Sequence, residues 1–470
     1  MNTPSQQVKQ DFEEGAVLLG SGHPDKALTC FRRALELFPD IATLHLYCGV
    51  ALYETKQYQE AIKCYSHAIK LNPEMGEAYN NLGNAFLELG LFKESAESFL
   101  SAVRLLPSSP VPLTTRSTAL LALGKVPEAE ECCCQALEVD PSFAETHWNL
   151  ALTLLLQGKF REGWQEYEWR WLKESFTSPR RHVDIPLWDG SSLEGKNILL
   201  HAEQGFGDAI QFVRYAPLVA KLGGKVVVEC HPPLVTLFQE LEGIDAVIPF
   251  GTPCPPCDWQ APLLSLPRIF GTVLETIPAH TPYLTVPLDR RTTWRLLMAN
   301  YQAQLKIGLV WKGKSYPDPL RSCCLFDFTP LAGTTAVIFS LQIGSGAEQI
   351  SRPPQGMNIV DLTPHIHDFA DTAALIEQLD LVISIDTAVA HLAGALGKPV
   401  FVLLPYAPDW RWMIGLPNSP WYPTMRLFRQ RQQGAWSSVI QEASVELDHL
   451  QKNPGQYTLS QDSFQLTPSV

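Results

Sequence analysis

A period of 34 residues runs from residue 8 to about residue 171 and constrains the fold of this chain more than any other feature. Four positions return at this spacing: a proline (Pro39, Pro73, Pro107, Pro141), a small residue (Ala27, Ala61, Ser95, Ala129, Gly163), a ring or its substitute (Phe31, Tyr65, Phe99, Cys133, Tyr167) and an alanine (Ala34, Ala68, Ala102, Ala136). Small residues let two antiparallel helices approach, rings fill the gap between neighbouring repeats, and proline ends the second helix. The period therefore predicts an α-solenoid with four full repeats and a fifth that departs from the pattern at Arg170.

This period and its positions resemble the tetratricopeptide repeat. The resemblance implies a superhelix whose first helices line a groove for a protein or peptide. In many such arrays an asparagine at the sixth position grips the peptide backbone, and Asn81 and Asn149 occupy that position here. We predict Asn81, Asn84 and Asn149 as groove residues. The other three repeats carry different residues there, namely Glu13, Tyr47 and Thr115, so a spacer or a dimerisation module is the alternative.

The fifth repeat ends in an aromatic helix face. Phe160, Trp164, Tyr167 and Trp171 follow helical spacing within FREGWQEYEWRW. The end of a solenoid needs a polar cap or a partner, and this face is apolar. We therefore expect it to contact the next domain.

Charge and composition narrow the function classes. Lys+Arg 36 against Asp+Glu 49 gives a formal net charge of −13, which argues against a nucleic-acid partner or an anionic-membrane surface. We find no stretch long enough to span a membrane, and the first ten residues lack the apolar core of a signal peptide, so we expect a cytoplasmic protein. The 11 cysteines form no disulfide framework. Cys254-Pro-Pro-Cys257 resembles half a zinc site, but no second Cys-x-x-Cys follows, so we interpret it as a proline-rich loop with two free thiols. We assign no metal and no cofactor.

Beyond the repeats, short apolar runs alternate with helix-forming segments. This alternation predicts two Rossmann-like lobes with parallel sheets, and a cleft between them where a ligand binds. The predicted strands are 196–202, 225–230, 245–248, 261–264 and 283–286 in the first lobe, and 306–311, 336–342, 358–361, 381–385 and 399–404 in the second. The predicted domains are a solenoid (8–172), a linker (173–195), the first lobe (196–289), the second lobe (290–450) and a disordered polar tail (451–470).

One stretch of the second lobe, LDLVISIDTAVAHLAGALGKPVFVLLP, reads as strand, helix and strand. Asp386 and Thr387 open its helix beyond the carboxyl end of the first strand, where free backbone N–H groups favour phosphate. His391 shares a helix face with Thr387 and could donate to a phosphate oxygen. The alternative is a capped core helix with a satisfied histidine.

Three motifs, EQGFGDAIQFVRYAPLV, DTAVAHLAGALGKPV and PDWRW, resemble glycosyltransferase family 9, the heptosyltransferase-like enzymes of GT-B fold. PLWDGSSLEGKNILL is similar to the start of this domain in versions fused behind tetratricopeptide repeats. The resemblance covers roughly residues 184–445. It implies a fold of α + α/β class, with a GT-B type pair of Rossmann-like lobes after the solenoid. It also implies an inverting, metal-independent transfer from a nucleotide-diphospho-sugar to an acceptor hydroxyl.

The same resemblance assigns roles on the acceptor side. Asp208 would be the general base that takes the proton of the attacking hydroxyl. Gly205 and Gly207 would let the backbone approach the acceptor. A simple helix N-cap is the alternative for Asp208.

On the donor side, the resemblance implies that Thr387 and His391 hold the diphosphate and stabilise charge on the departing nucleotide. We also predict Asp386 as a donor-binding residue. Ala388 departs from the family's Asp-Thr-Gly. In the loop KGKSYPDPLRSCC, the cations Lys312, Lys314 and Arg321 are predicted phosphate contacts or solvated loop charges. Trp410 and Trp412 are predicted to stack on a sugar or base, or else to pack in the core.

The sequence thus predicts a glycosyltransferase whose repeats bind or position a protein acceptor or partner. The alternative is a tetratricopeptide scaffold whose transferase-like domain is degenerate and non-catalytic.

Overall fold

The N-terminal helices begin at a regular spacing. In the computed structural model, which describes residues 3–301, 305–314 and 319–452, the helices of the repeats are α1 (Pro4–Gly20), α2 (Pro24–Leu37), α3 (Ala42–Glu54), α4 (Tyr58–Leu71), α5 (Gly76–Glu88), α6 (Phe92–Leu105), α7 (Val111–Ala122), α8 (Val126–Val139), α9 (Ala144–Leu156) and α10 (Phe160–Tyr167). The second helix of each pair starts at Pro24, Tyr58, Phe92, Val126 and Phe160, which is the predicted period. The predicted α-solenoid is confirmed.

The chain divides into two compact units, with the boundary between Leu154 and Leu155. We call them the repeat unit and the α/β unit. The boundary falls inside the fifth predicted repeat, so α10 belongs to the α/β unit. The finer domain limits at 172, 195 and 289 stay predictions.

Within the repeat unit, each ring packs against a glycine of the preceding helix. A Cβ on Gly15 would lie 2.5 Å from the ring of Phe31, and one on Gly49 would lie 2.5 Å from Tyr65. Small residues opposite rings therefore set the approach of the two helices within one pair, in addition to the predicted contact between pairs.

The first lobe of the α/β unit is a four-stranded parallel sheet in the order β3-β2-β1-β4. Its elements are β1 (Asn197–His201), α11 (Phe206–Phe212), α12 (Ala216–Ala220), β2 (Lys225–Cys230), α13 (Val235–Phe238), β3 (Ala246–Pro249), β4 (Trp259–Pro262) and α14 (Leu266–Ile269). Because β2 and β4 lie on opposite sides of β1, the strand order reverses beside β1. The carboxyl ends of β1 and β4 therefore form a crevice of the kind that receives ligands in open α/β sheets.

The second lobe is a six-stranded parallel sheet in the order β10-β9-β8-β5-β6-β7. Its elements are α15 (Leu288–Leu297), β5 (Lys306–Val310), β6 (Val337–Ser340), β7 (Ile359–Asp361), α16 (Phe369–Glu377), β8 (Leu381–Ile385), α17 (Ala388–Ala395), β9 (Val400–Leu404), β10 (Met425–Arg429) and α18 (Trp436–Lys452). Here the order reverses between β5 and β8. The predicted donor residues follow these two strands. The GT-B-like pair of parallel-sheet lobes is confirmed.

One predicted strand is wrong, and one strand of the structure was missed. Residues 283–286 form no strand, because the amides of Tyr283 and Leu284 donate to the Ala395 carbonyl at the end of α17 (3.0 and 3.3 Å) rather than to a sheet. β10 was not predicted; Arg426 and Arg429 interrupt its apolar residues, and it pairs with β9 at the sheet edge.

Some predictions fall at or beyond the edges of the described residues. Gln451 and Lys452 close α18, and the rest of the predicted tail lies outside the described residues, as do residues 315–318 of the loop after β5. Across the described part of the chain, no helix combines the length and the apolar character needed to cross a membrane. The 11 cysteines are free thiols.

Candidate functional site

The two strand-order reversals bring the loop after β1 and the start of α17 together. A Cβ on Gly207 would lie 3.1 Å from His391 Cδ2 and 3.6 Å from the Ala388 Cα, so α11 and α17 touch at their N-termini. The predicted acceptor turn and the predicted donor helix thus meet, although 180 or more residues separate them in the chain. Gly207, which has no side chain, gives α17 the room for this approach.

Thr387 and Asp386 lie at the N-terminus of α17. Thr387 is the N-cap residue, and its hydroxyl is 3.0 Å from the Ser384 hydroxyl rather than bonded to the helix N–H groups. Asp386 is 9% exposed. Burial, together with the neighbouring Asp409 carboxylate, raises the pKa of Asp386 to about 6. The helix N-terminus therefore carries an acid that exchanges its proton close to neutral pH.

His391 is buried and held on three sides. Its Nδ1 lies 3.0 Å from the Tyr422 hydroxyl, its ring stacks on Trp412 with centroids 5.3 Å apart, and its Nε2 lies 3.9 Å from Asp386 Oδ1. Burial and then the charges of nearby arginines, Arg411 first, lower the pKa of His391 well below its ordinary value. The imidazole is therefore neutral at pH 7.

Asp208 is both a helix cap and one half of an ion pair. Its Oδ2 accepts the Gly205 amide at 2.8 Å, and its Oδ1 accepts a hydrogen bond from Arg411. The N-cap residue of α11 is Gly205, and Asp208 is the third residue of the helix, so Asp208 caps the helix through the Gly205 amide rather than as the N-cap residue that the alternative expected. The second oxygen faces the interface between the lobes, so the cap and a role at the site are compatible.

Arg411 is the main site residue that sequence reasoning missed. It reaches from the PDWRW segment of the second lobe to the first lobe, where its Nε donates to Gln211 Oε1 at 2.9 Å; its Nη1 donates to Asp409 Oδ1 at 2.8 Å. Burial alone would lower its pKa, but Asp409 and Asp208 outweigh burial and raise it. The sequence feature that could have revealed Arg411 is a pair of opposite charges, Asp409 and Arg411, next to Trp410 and Trp412.

A second missed arginine, Arg214, joins the lobes through neutral partners. Its Nη1 donates to the Trp421 carbonyl at 2.6 Å and its Nη2 to the Tyr283 hydroxyl at 3.1 Å, while its guanidinium lies 4.4 Å from the Tyr422 ring centroid. Tyr422 in turn contacts His391. The sequence feature that could have revealed Arg214 is the position of an arginine inside the largely apolar run QFVRYAPLV.

The three predicted phosphate contacts of the loop after β5 lie in different surroundings. Arg321 lies near enough to Asp386 for its charge to lower the pKa of that carboxyl against the larger effects of burial and Asp409. Lys314 Nζ is 5.7 Å from the Phe206 ring centroid, next to the acceptor turn. The stem of Lys312 lies against Gly346. Of the three cations, Arg321 therefore has a direct link to the predicted donor residue Asp386.

Trp410 and Trp412 are both buried. Trp410 packs edge-on against Trp164, with centroids 5.2 Å apart, and Trp412 covers His391. The geometry favours the packing alternative for both rings.

The predicted groove asparagines differ in their surroundings. Asn149 Nδ2 lies within hydrogen-bond distance of Thr114 O (3.1 Å), Ser117 Oγ (3.0 Å) and Thr118 Oγ1 (3.0 Å). Asn149 therefore ties neighbouring repeats together. Asn81 and Asn84 are half-buried.

An α-solenoid followed by two parallel-sheet lobes that meet at a shared interface is the architecture of a repeat-fused GT-B protein. Tetratricopeptide-repeat family models match residues 12–66, 51–90, 76–108 and 114–168, and the glycosyltransferase family 9 (heptosyltransferase) model matches residues 332–436. The chain therefore combines tetratricopeptide repeats with a glycosyltransferase family 9 domain. The family 9 match contains Asp386, Thr387, His391 and Arg411, while Asp208 lies before it.

Among curated proteins, the chain is similar to the protein FlbA of Caulobacter vibrioides, with 28% identity over 332 residues, which cover 63% of this chain and 54% of FlbA. The chain thus spans about half the length of that relative. Among solved structures, it is similar to MamA from Desulfovibrio magneticus RS-1 (17% identity, TM-score 0.33, 34% of this chain and 92% of MamA). A tetratricopeptide-repeat protein of Thermus thermophilus is also similar (21% identity, TM-score 0.31, 34% of this chain and 88% of that chain).

Proposed function

We propose that the α/β unit transfers a sugar from a nucleotide-diphospho-sugar to an acceptor hydroxyl, with inversion and without a required metal ion, and that the repeats bind or position a protein acceptor or partner. The observation that carries this proposal is the meeting of the Asp208 turn with the N-terminus of α17 at Gly207 and His391. A proton acceptor and an anion-binding helix end then face one reaction centre.

On the donor side, the backbone N–H groups at the start of α17 and the neutral His391 are directed at the diphosphate. As the bond between the sugar carbon and the phosphate oxygen breaks, its electron pair leaves with the nucleotide diphosphate. Helix N–H groups and the Arg321 guanidinium stabilise the charge that develops there. Asp386 assists in its protonated form, because its carboxylate would repel the same charge.

On the acceptor side, the hydroxyl oxygen attacks the sugar carbon from the face opposite the departing phosphate, and its proton passes to Asp208. Arg411 orients Asp208 Oδ1 and places a fixed positive charge beside it. The Gly205 amide donates to the other oxygen, so both oxygens of the carboxylate are held in place before the acceptor binds.

A scaffold with a non-catalytic transferase domain is the second candidate. It is favoured by one observation: both oxygens of Asp208 are engaged by protein donors, Gly205 and Arg411. In a scaffold this ion pair serves only to hold the two lobes together.

A thermal-shift screen tests the proposal. The full chain is melted with UDP-, ADP- and GDP-sugars, and with CMP-sugars, which have a single phosphate, as the comparison. At 100 times the dissociation constant a true donor adds about 2.7 kcal/mol of stability. The donor that stabilises the chain is then incubated with candidate acceptors. Binding and transfer support the proposal, binding without turnover supports the scaffold, and a lack of binding by every diphospho-sugar contradicts the donor site.

A further inference from the structure

The crevice at the strand-order reversal of the first lobe holds a guanidinium. Arg170 lies in the short 3-10 helix Glu168–Leu172, before the lobe begins, and its side chain is 0% exposed. Its Nε and Nη2 donate to the two oxygens of Glu203 at 2.8 and 3.0 Å. Its other contacts are Glu168 Oε1 at 2.9 Å, the Tyr167 carbonyl at 3.1 Å and Ser265 Oγ at 2.8 Å.

These partners come from both strands that border the crevice. Glu203 follows β1, and Ser265 follows β4; Glu203 Oε1 also accepts the Leu264 amide at 3.2 Å. Open α/β sheets bind ligands at this kind of position. Here the Arg170 side chain of the same chain occupies this position. The rings of Tyr167 and Trp171 cover its guanidinium, with centroids 5.0 and 4.8 Å from the guanidinium carbon.

The same loop is held by the segment that follows Arg170. The Ser178 hydroxyl donates to the Glu203 carbonyl, and Arg181 donates to the Ala202 carbonyl. Residues 202–203 are thus fixed from three directions before the chain reaches Gly205 and Gly207. Because two glycines make the following turn permissive, the direction of that turn depends on its anchors.

We propose that Arg170 is a positioning residue, which fixes the loop after β1 through Glu203 and so sets the place of Asp208 at the site. The consequence for sugar transfer rests on the proposed function; the consequence for the loop does not. An arginine matches this task because its planar fork holds both carboxylate oxygens, which a lysine cannot do.

Hydrogen exchange on the full chain tests the inference, with Arg170→Lys as the mild variant and Arg170→Met as the severe one. Arg291→Met is the matched control, because Arg291 also holds a glutamate, Glu377, by two bonds of 2.8 Å, but on the second lobe away from this loop. We expect exchange of the hydrogen-bonded amides on either side of this loop, those of Ala202, Gly205 and Ala209, to accelerate at least about tenfold in Arg170→Lys, while those of residues 381–391 exchange as in the wild type. The control should leave both segments unchanged.

Kinetics with the donor found in the thermal screen separate positioning from stability. We expect Arg170→Lys to lower kcat about tenfold or more while the donor dissociation constant stays within about twofold. Unchanged exchange at Ala202, Gly205 and Ala209 overturns the inference, and so does an acceleration spread evenly over the α/β unit, which would mean a merely structural role. If the local acceleration occurs and the wild-type chain transfers no sugar, the loop inference stands and the proposed function fails.

Discussion

The repeat unit and the α/β unit differ in the range of the contacts that define them. In the repeat unit, Gly49 meets Tyr65 within one helix pair, and the same contact returns at Gly15 and Phe31. In the α/β unit, Arg411 meets Asp208 across 203 residues of chain, and Arg214 meets the Trp421 carbonyl across 207. Short repeated contacts build a surface, whereas long-range contacts bring different chemical groups to one place. We therefore expect substitutions in the first unit to affect stability and those in the second to affect binding and turnover as well.

Trp164→Ala should give the largest change, since it removes a ring that joins both lobes. Trp164 is buried against Phe212 and Trp410, and its Nε1 donates to the Thr272 carbonyl at 3.0 Å. Loss of a fully buried tryptophan costs about 3–5 kcal/mol. Denaturant unfolding measures the loss, and limited proteolysis should show faster cleavage within residues 173–195. A variant as stable and as protease-resistant as the wild type would contradict this role.

Asp208→Asn should then separate catalysis from folding within the α/β unit. The amide keeps the shape and, through its oxygen, the cap on Gly205, but it cannot take a proton and its NH2 group cannot accept the hydrogen bond from Arg411. Turnover should fall about 100-fold or more with donor affinity little changed. Asp258→Asn is the control, because Asp258 also caps a backbone amide of this lobe, that of Asn197 at 2.9 Å, outside the site. Normal turnover in Asp208→Asn would leave Asp208 a cap only.

Gly49→Ala probes the repeat unit. The added Cβ would lie 2.5 Å from the Tyr65 ring, and such overpacking costs about 1–3 kcal/mol. Gly20→Ala is the control, since no heavy atom lies within 4 Å of the Cβ it would add. Calorimetric melting should show the loss in Gly49→Ala alone, with donor affinity unchanged in both. A change in donor affinity in Gly49→Ala would contradict the expectation that substitutions in the repeat unit affect stability but not donor binding.

Asp386 should give the smallest effect, a pH dependence of donor binding. Its pKa is raised to about 6, so the carboxyl is neutral below that pH and repels a diphosphate above it. Donor affinity should fall on the order of tenfold as pH rises through about 6, and Asp386→Asn should flatten this step. An intact nucleotide sugar must be used, because a terminal phosphate itself titrates near pH 6.

The same raised pKa predicts a stability change of definite sign. Between the ordinary pKa of an aspartate and about 6, the native state binds more protons at Asp386 than the unfolded state does. The resulting stabilisation is complete below about pH 4 and is lost as the pH rises through about 6. A step that survives in Asp386→Asn would belong to another group.

The sequence predicted those parts of the fold whose patterns are local. The repeat period predicted the spacing of the helix starts, and the apolar runs at 381–385 and 399–404 located β8 and β9, because buried parallel strands are continuously apolar. The strand expected at 283–286 failed for a tertiary reason: its amides bond to Ala395. β10 was missed because Arg426 and Arg429 interrupt its apolar residues, as charged residues do in edge strands, so it does not appear as a continuous apolar run.

The candidate site was predictable only in part, because local sequence patterns do not show which distant residues come into contact. Asp208, Thr387 and His391 were predicted from motifs, and the structure brings their segments together. Arg411, Arg214 and Arg170 were not predicted, because each acquires its role from partners that lie far away in the chain. Whether Trp410 and Trp412 are buried or exposed could not be predicted either, because two neighbouring tryptophans give the same sequence pattern in a binding site and in a core.

Calorimetric titration of the donor found in the thermal screen tests the central claim most directly, because it compares the two units in one measurement. His391→Ala should weaken donor binding by about 1.5–3 kcal/mol, the range for a hydrogen bond to a charged group. Asn149→Ala, which loosens contacts only inside the repeat unit, should leave the dissociation constant within about twofold of the wild type. Unchanged affinity in His391→Ala, with both variants folded by melting, would remove the N-terminus of α17 from the donor site and contradict the account.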